Sequence, residues 1–411
     1  MSKLFYTFVI CHLTLIAVSQ CRVDSTLFFK YDLGSTIKEP LDLIVYSYNL
    51  DNSIGSEILF HWDKTHSVWN STNQTEYAYN GKGMLTEELT QEWNVASNSW
   101  KNSFKFNYHY NSNGELINSF YNEWDSASSS WKNSFLQSYY YNSNGDQTQY
   151  IFQNWNESTS SWVNSSKYEY TYNVEGKILS ELFQKWNPST SLWINRNKTD
   201  YFYNSNSKVS QEIMQIWDTS SVAWLNSVRD IFTYRLDGNL TFVNRDRWSR
   251  NKMDWVKFRL ESFTYDGNND KVGRLNQAWD DIESAWVNDL KDTWEYNANR
   301  DLVANDFYYF WDESSMRYNF HYREEYICAQ MTQTKDPNKD NAYFIFPNPV
   351  SNNTVTIHSE SGDEFRLLDI SGNTVFRSIL DKGSNQVKLG SLTSGIYIAK
   401  VGKKIQKLWV K

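Results

Sequence analysis

Tryptophan recurs along this chain with a fixed step. One series falls at Trp62, Trp93, Trp124, Trp155, Trp186, Trp217, Trp248 and Trp279, each 31 residues after the last. A second series runs in parallel at Trp69, Trp100, Trp131, Trp162, Trp193, Trp224, Trp255 and Trp286. The first continues as Trp311, one residue late, with Tyr318 in the partner position. Upstream, Tyr46-Ser47-Tyr48-Asn49 precedes Tyr77-Ala78-Tyr79-Asn80 by the same 31 residues. A step held this long defines a repeat architecture, in which each unit is one supersecondary element stacked on its neighbours.

Inside a unit the period is two. Alternate positions from Trp100 are Asn102, Phe104, Phe106, Tyr108 and Tyr110; from Trp131 they are Asn133, Phe135, Gln137, Tyr139 and Tyr141. This alternation predicts a strand with all of these side chains on one face, and it does not fit a helix. The loop Ser112-Asn113-Gly114 after Asn111, echoed by Ser143-Asn144-Gly145, suits a type I turn closed by a left-handed glycine. Pairing Asn111 with Glu115 then predicts Tyr110 opposite Leu116 and Phe106 opposite Phe120. A polar turn from Asp125 to Ser130 sets Trp124 against Trp131. The expected fold is all-β: a long antiparallel β-hairpin repeat array of 31-residue units, with about seventeen strands of roughly 35–40 Å each. Open twisted sheets rarely exceed about ten strands, so the meander is expected to curl, spiral or close.

Composition agrees. The 411 residues include 19 Trp, 28 Tyr and 23 Phe against 5 Pro, a bias towards strand. The net charge of -8 argues against nucleic acid, whose phosphates need a basic surface.

The ends of the chain differ from the array. Residues 1–19 read as a signal peptide: Lys3, an apolar stretch over Leu4–Val18, and small Ala17 and Ser19 before a cleavage ahead of Gln20. The stretch is too short to favour a membrane-spanning helix, and no second candidate follows. Cys21 raises a lipoprotein alternative, but Gln20 stands where that signal wants a small residue. Export permits a bridge between Cys21 and Cys328, and two free thiols remain the alternative. Residues 20–37 form a lead-in, 38–330 the repeats, 331–341 a polar linker, and 342–411 a small β-sandwich with short β-branched strands. Its expected strands are 354–358, 365–369, 374–380, 386–389, 396–401 and 404–410.

Two resemblances sit on these residues. The core Tyr108-His109-Tyr110-Asn111-Ser112-Asn113-Gly114-Glu115-Leu116 resembles YD-repeat proteins, whose strand pairs wind into β-shells. The likeness covers about ten residues in each unit, and the Arg often found after that glycine is absent, so it supports strand-turn-strand and not a toxin shell. The C-terminal residues resemble the type IX secretion sorting domain in three ordered blocks. These are Phe346-Pro347-Asn348-Pro349, then Asp369-Ile370-Ser371-Gly372, then Leu392-Thr393-Ser394-Gly395-Ile396-Tyr397-Ile398-Ala399-Lys400, with Lys411 closing the tail. Asn373 replaces the usual basic residue after Gly372. The resemblance implies Bacteroidota-type export across the outer membrane, with the secretion machinery and its sortase-like peptidase as partners. It further implies that the mature protein is released or attached through lipopolysaccharide.

His61 and His66 flank Trp62 without the Cys/His spacing of a zinc site. Neighbouring carboxylates such as Glu87-Glu88 point to opposite faces of a strand, unlike a glycosidase pair. The residue after each Trp alternates among Asp, Asn and Ser (Asp63, Asn94, Asp125, Asn156, Asn187, Asp218, Ser249, Asp280), which suits turn capping. No cofactor, metal or catalytic residue is assigned, and the expectation is a protein that is not an enzyme. The tryptophan rows are the candidate ligand site: Trp93, Trp100, Trp124, Trp131, Trp155, Trp162, Trp186 and Trp193. Sugar rings would stack on one exposed row, with Asn102, Asn133, Asn164, Gln91, Gln153 and Gln184 as hydrogen-bonding neighbours. Tyr121, Phe152, Phe183 and Tyr308 are expected on the opposite face. The expected function is a secreted or outer-membrane-surface protein, reached via the periplasm, that binds polysaccharide or a cell surface. The alternative is a purely structural surface or matrix component.

Overall fold

In a computed structural model of the chain, residues 22–31, 38–312, 314–328, 345–346, 350, 354–359, 364–368, 374–390, 392, 395–401 and 404–410 are described. They fall into two compact units, one ending at Gln330 and one beginning at Met331. The signal segment, the lipoprotein alternative, Cys21 and the linker lie outside the described residues.

The first unit is one antiparallel sheet of 20 strands, more than the seventeen expected. The difference comes from the ends. The lead-in supplies a strand, Val23–Tyr31, which pairs on one side with Lys38–Tyr48 and on the other with the last strand, Arg317–Cys328. That double pairing closes the meander into a barrel, so no strand is left with an unpaired edge. Closure is reinforced by charge. Lys38 meets Glu325 across the inserted strand at 2.7 Å, and Arg323 holds that glutamate at 2.9 Å while also pairing with Asp306 and Glu295 of the two preceding strands at 2.6 and 2.7 Å. His321, bound to Asp306 at 2.6 Å, lies between the rings of Tyr31 and Tyr308 at 4.0 and 4.2 Å.

Each hairpin of this kind has the predicted hydrogen-bonded turn, closed by a left-handed glycine in five (Gly83, Gly114, Gly145, Gly176, Gly238) and by Asn52, Ser207, Asn269 or Arg300 in the other four. Asn111 N–H donates to the Glu115 carbonyl at 2.9 Å and Gly114 N–H to the Asn111 carbonyl at 3.1 Å, with Gly114 at φ +88°. The Asn111 side-chain oxygen accepts from the Asn113 and Glu115 N–H groups, both at 3.0 Å. Tyr110 pairs with Leu116 as expected.

Beyond those residues the register departs from simple alternation. Asn118 pairs with His109, so Ile117 is an extra residue and Phe106 faces Tyr121, not Phe120. A second bulge lies in the outgoing strand: Gln91 pairs with Asn102 and Thr90 with Phe104, leaving Ser103 over. One extra residue turns every later side chain to the other face. Trp100 and Asn102 therefore share a face with Lys105 and Asn107, while Phe104, Phe106, Tyr108 and Tyr110 line the opposite one. The single-face expectation is corrected accordingly. The late Trp311 has its own adjustment: the extra residue is absorbed at Phe310, φ +57°. This turns Tyr308 to the tryptophan side, where it meets Tyr318, the ring partner of Trp311.

Hairpins are stapled to one another by a tyrosine. The last Tyr of each outgoing strand donates its hydroxyl to a backbone carbonyl 25 residues earlier, in the preceding hairpin. Tyr79 binds Ile54, Tyr110 binds Leu85, Tyr141 binds Leu116 and Tyr172 binds Gln147, at 2.6–2.9 Å. The same contact recurs at Tyr48, Tyr203, Tyr234, Tyr265 and Tyr296.

The second unit is built differently. A three-stranded sheet (Ile345–Phe346, Thr354–Ser359, Gly383–Lys388) accompanies a four-stranded sheet ordered Thr374–Ile379, Glu364–Leu368, Gly395–Val401, Lys404–Val410. The strands match expectation to within about three residues at each end. Between them Val355, Ile357, Phe365, Leu367, Ala399, Leu408 and Val410 are fully buried in one cluster. No such cluster occurs among the described barrel residues, whose buried apolar side chains are the scattered Phe29, Ile58, Leu136, Val243 and Ala304.

Changing Tyr110, Tyr141 or Tyr172 to Phe removes one staple hydrogen bond and should cost about 1 kcal/mol each in urea denaturation, close to additively. Loss of less than about 0.3 kcal/mol for all three together would show the staple to be idle. Val222 holds a left-handed turn position, φ +52°, that most other hairpins fill with Ser or Asn, and it is 72% exposed. Val222→Asn should therefore stabilise the barrel by about 0.5–1 kcal/mol, seen as a raised denaturation midpoint.

Candidate functional site

The residue opening each turn at the tryptophan end shapes that turn. Asp63 Oδ1 accepts from Thr65 and His66 N–H at 2.9 and 3.2 Å, Asn94 Oδ1 from Ser97 N–H at 2.9 Å, and Asp125 Oδ1 from Ala127 N–H at 3.1 Å. Before each second Trp the chain passes through a left-handed residue, such as Asn98, Ser129, Ser160 or Ser191. His61 and His66 do not converge. His61 binds Asp42 at 2.8 Å and His66 binds Asp63 at 2.7 Å.

These turns bring the predicted tryptophans together as cross-strand pairs: Trp93 with Trp100, Trp124 with Trp131, Trp155 with Trp162, and Trp186 with Trp193. Ring centroids are 4.9–5.0 Å apart at 67–70°, edge to face, the arrangement favoured by the aromatic quadrupole. Trp62–Trp69, Trp217–Trp224, Trp248–Trp255 and Trp279–Trp286 repeat it, and Trp311–Tyr318 extends it. Every indole of the four predicted pairs is half-buried. Neighbouring pairs are one hairpin apart, about 10 Å by the inter-strand spacing.

The amides beneath the indoles are less free than expected. Gln91 donates to Asn102 at 3.0 Å, Gln153 to Asn164 at 3.0 Å, Gln184 to Asn195 at 2.8 Å and Asn122 to Asn133 at 2.9 Å. Part of their capacity is spent across the strand pair. Cations take up some indole faces as well: Lys105 lies 5.1 Å from the Trp131 ring centre, Lys167 5.2 Å from Trp193, and Arg229 4.9 Å from Trp255.

The other face carries a belt that sequence reasoning did not single out. Tyr46 pairs with Glu57, Tyr77 with Glu88, Tyr170 with Glu181 and Tyr201 with Glu212. The Tyr108 hydroxyl donates to Glu88 Oε1 at 3.0 Å. Burial pushes the carboxyl groups of Glu57, Glu88, Glu181 and Glu212 above their usual range, and burial pushes the Tyr139 and Tyr201 hydroxyls up to about 12. The signal was the 31-residue recurrence of Glu57-Glu88 and Glu181-Glu212, concealed by the bulges that decide their face. Tyr121, Phe152 and Phe183 lie on this face, as expected, within a run of ring contacts such as Tyr121–Phe135 at 4.5 Å.

In the second unit, Tyr397 is buried in Gly395–Val401 and Lys400 is exposed, paired in register with Arg366. Pro347, Asn348, Pro349, Asp369, Gly372 and Lys411 lie outside the described residues.

Residues 344–411 match the family described as the secretion system C-terminal sorting domain. The chain thus carries a type IX secretion sorting domain, which directs export via the periplasm to the cell surface or beyond and engages the type IX machinery. No curated protein matches the chain. Among solved structures, a DUF3836 family protein from Bacteroides vulgatus is 22% identical over 22% of this chain and 89% of its own, with a TM-score of 0.20. A porin-like protein from Bacteroides uniformis is 8% identical over 75% of this chain and 98% of its own, TM-score 0.26. PorZ, a surface component of the type-IX secretion system of Porphyromonas gingivalis, is 7% identical over 90% of this chain and 80% of its own, TM-score 0.17. At these scores the likenesses bear on no functional argument.

The buried carboxyls set a pH dependence. A carboxyl whose folded pKa exceeds its unfolded value near 4.5 binds its proton more tightly in the folded state, so its contribution falls as pH rises through that interval. Glu88→Gln should raise the melting temperature at neutral pH and flatten the loss of stability that wild type shows as pH rises above the ordinary glutamate range, by thermal denaturation at about six pH values. A melting temperature lowered equally at every pH would show that the ionised carboxylate is needed by the fold.

Proposed function

We propose that the barrel is a non-enzymatic binding module, secreted or held at the cell surface, whose tryptophan rim takes polysaccharide. The observation that carries the reading is the repetition of half-buried indole pairs at one end of the wall, at a constant spacing of about 10 Å. An indole face stacks on the C–H face of a sugar ring, and several weak contacts along one polymer add through effective concentration. The non-enzymatic reading is supported by the acidic residues themselves. Glu87 is engaged by Lys105 and Asn107 on one face, and Glu88 by Tyr108 on the other, so the doublet does not converge.

No described helix is long and apolar enough to cross a membrane. A lipid-facing barrel needs an apolar band on its outer face. Here charged residues occupy mid-strand positions on both faces, with Glu87 and Lys105 on one and Glu57, Glu88 and Glu212 on the other. That pattern supports a barrel bathed in water.

Titration of the full chain with a glycan panel tests the proposal through tryptophan fluorescence. Polysaccharide should quench or shift the emission, and oligosaccharides long enough to span two pairs should bind more tightly than shorter ones. Removing pairs in turn, first Trp124→Ala with Trp131→Ala and then Trp155→Ala with Trp162→Ala, should weaken binding stepwise, roughly three- to ten-fold per pair, with the strand signal in circular dichroism retained. An unchanged emission across the panel, together with unfolding on the first pair removed, would instead make the indoles strand clasps and the barrel a structural surface component.

A further inference from the structure

We infer that the polymer taken by the tryptophan rim is neutral: a hydroxyl-rich glycan without carboxylate, sulfate or phosphate groups. The inference rests on the reading of the rim as a glycan platform and adds the chemical class of the ligand.

Its basis is the state of the charges around the indoles. An acidic glycan would need cations free to meet it. Three cations seated on the indoles are already paired: Lys105 with Glu87 at 3.2 Å, Lys167 with Glu169 at 2.7 Å, and Arg229 with Asp246 at 2.6 Å; Lys257, 4.0 Å from the Trp279 ring centre, is the exception and lies outside the four predicted pairs. Lys132, beside the turn that joins Trp124 to Trp131, is bound to Asp125 at 2.7 Å. The turns themselves carry carboxylates held ionised. Hydrogen bonds from Lys132 and Ser128 keep the Asp125 carboxyl well below its usual range, those from His66 lower Asp63, that from Ser221 lowers Asp218, and those from Ser314 and Ser315 lower Asp312. Asp280, Asp281 and Glu283 crowd a single turn. Arg250 and Lys252 make the turn before Trp255 basic, and Arg250 already contributes to lowering Asp218. A polyanion laid along this rim would meet cations that are mostly paired, and carboxylates at Asp218, Asp280, Glu283 and Asp312 that repel it over the screening length. A neutral sugar meets no such cost. Its hydroxyls can donate to the turn carboxylates, and its ring faces can stack on the tryptophans.

The experiment compares one neutral polysaccharide with its own carboxymethylated derivative, using the full chain. Salt is raised from about 0.01 M to about 1 M, over which the screening length falls from about 30 Å to about 3 Å. The neutral polymer should bind with an affinity that changes less than about two-fold across that range. The carboxymethylated form should bind about ten-fold more weakly at low salt and recover part of the difference at high salt. In the double variant Glu87→Gln, Glu169→Gln, which frees Lys105 and Lys167, binding of the acidic form should rise several-fold while neutral binding stays the same. Tighter binding of the acidic polymer at low salt, lost as salt rises, would overturn the neutral assignment and leave the glycan platform standing. Binding of neither form would overturn both.

Discussion

Continuity of the backbone ladder is the constraint on which this barrel depends. A hydrophobic core ordinarily offsets the conformational entropy lost on folding. Here the clustered apolar core belongs to the sorting domain, and the barrel wall has only scattered buried apolar residues. Its cohesion comes from strand pairing, from cross-strand aromatic contacts and from tyrosine hydroxyls that tie each hairpin to the one before. Such a wall is vulnerable wherever the ladder ends. Val23–Tyr31 removes that weakness by filling the gap between Lys38–Tyr48 and Arg317–Cys328, and the Tyr31–His321 stack and the Lys38–Glu325 pair hold the place.

One extra residue in each outgoing strand governs what each face displays. The bulge at Ser103 and its equivalents let a single strand send its tryptophan end to one face and its phenylalanine and tyrosine end to the other. Without it Trp100 would share a face with Phe104, Phe106, Tyr108 and Tyr110. With it, the two ends of the barrel wall differ in character: indole pairs over amide pairs at one, stapling tyrosines at the other, and a belt of tyrosines and buried carboxyls between. The indole pairs sit where they are partly accessible, and the carboxyls sit where burial disfavours their charge.

The two units answer different physical demands. The sorting domain is a small pair of sheets around a clustered apolar interior. The barrel spreads its residues over a broad wall and repeats one surface many times. Repetition suits an extended, periodic partner better than a single small molecule, because weak contacts at fixed spacing add along a polymer and not on a monomer.

Read alone, the chain determined the 31-residue unit, the strand-turn-strand hairpin, the Asn-x-x-Gly loop, the pairing of Trp124 with Trp131 and the sorting domain with nearly all of its strands. These are local properties: periodicity, turn chemistry and short-range register are set by residues within one or two strands of each other. Other features only the tertiary structure decided. Which face Phe104 or Glu88 occupies depends on where the extra residue of a bulge is placed, and a bulge leaves the hydrophobic pattern nearly unchanged while inverting all that follows it. The closing of the barrel joins residues about 300 positions apart, Val23 and Cys328, and the strand that closes it carries no tryptophan signature. Long-range pairing is chosen by the accumulated twist and curvature of the whole sheet, a sum over all its strands that no single unit records.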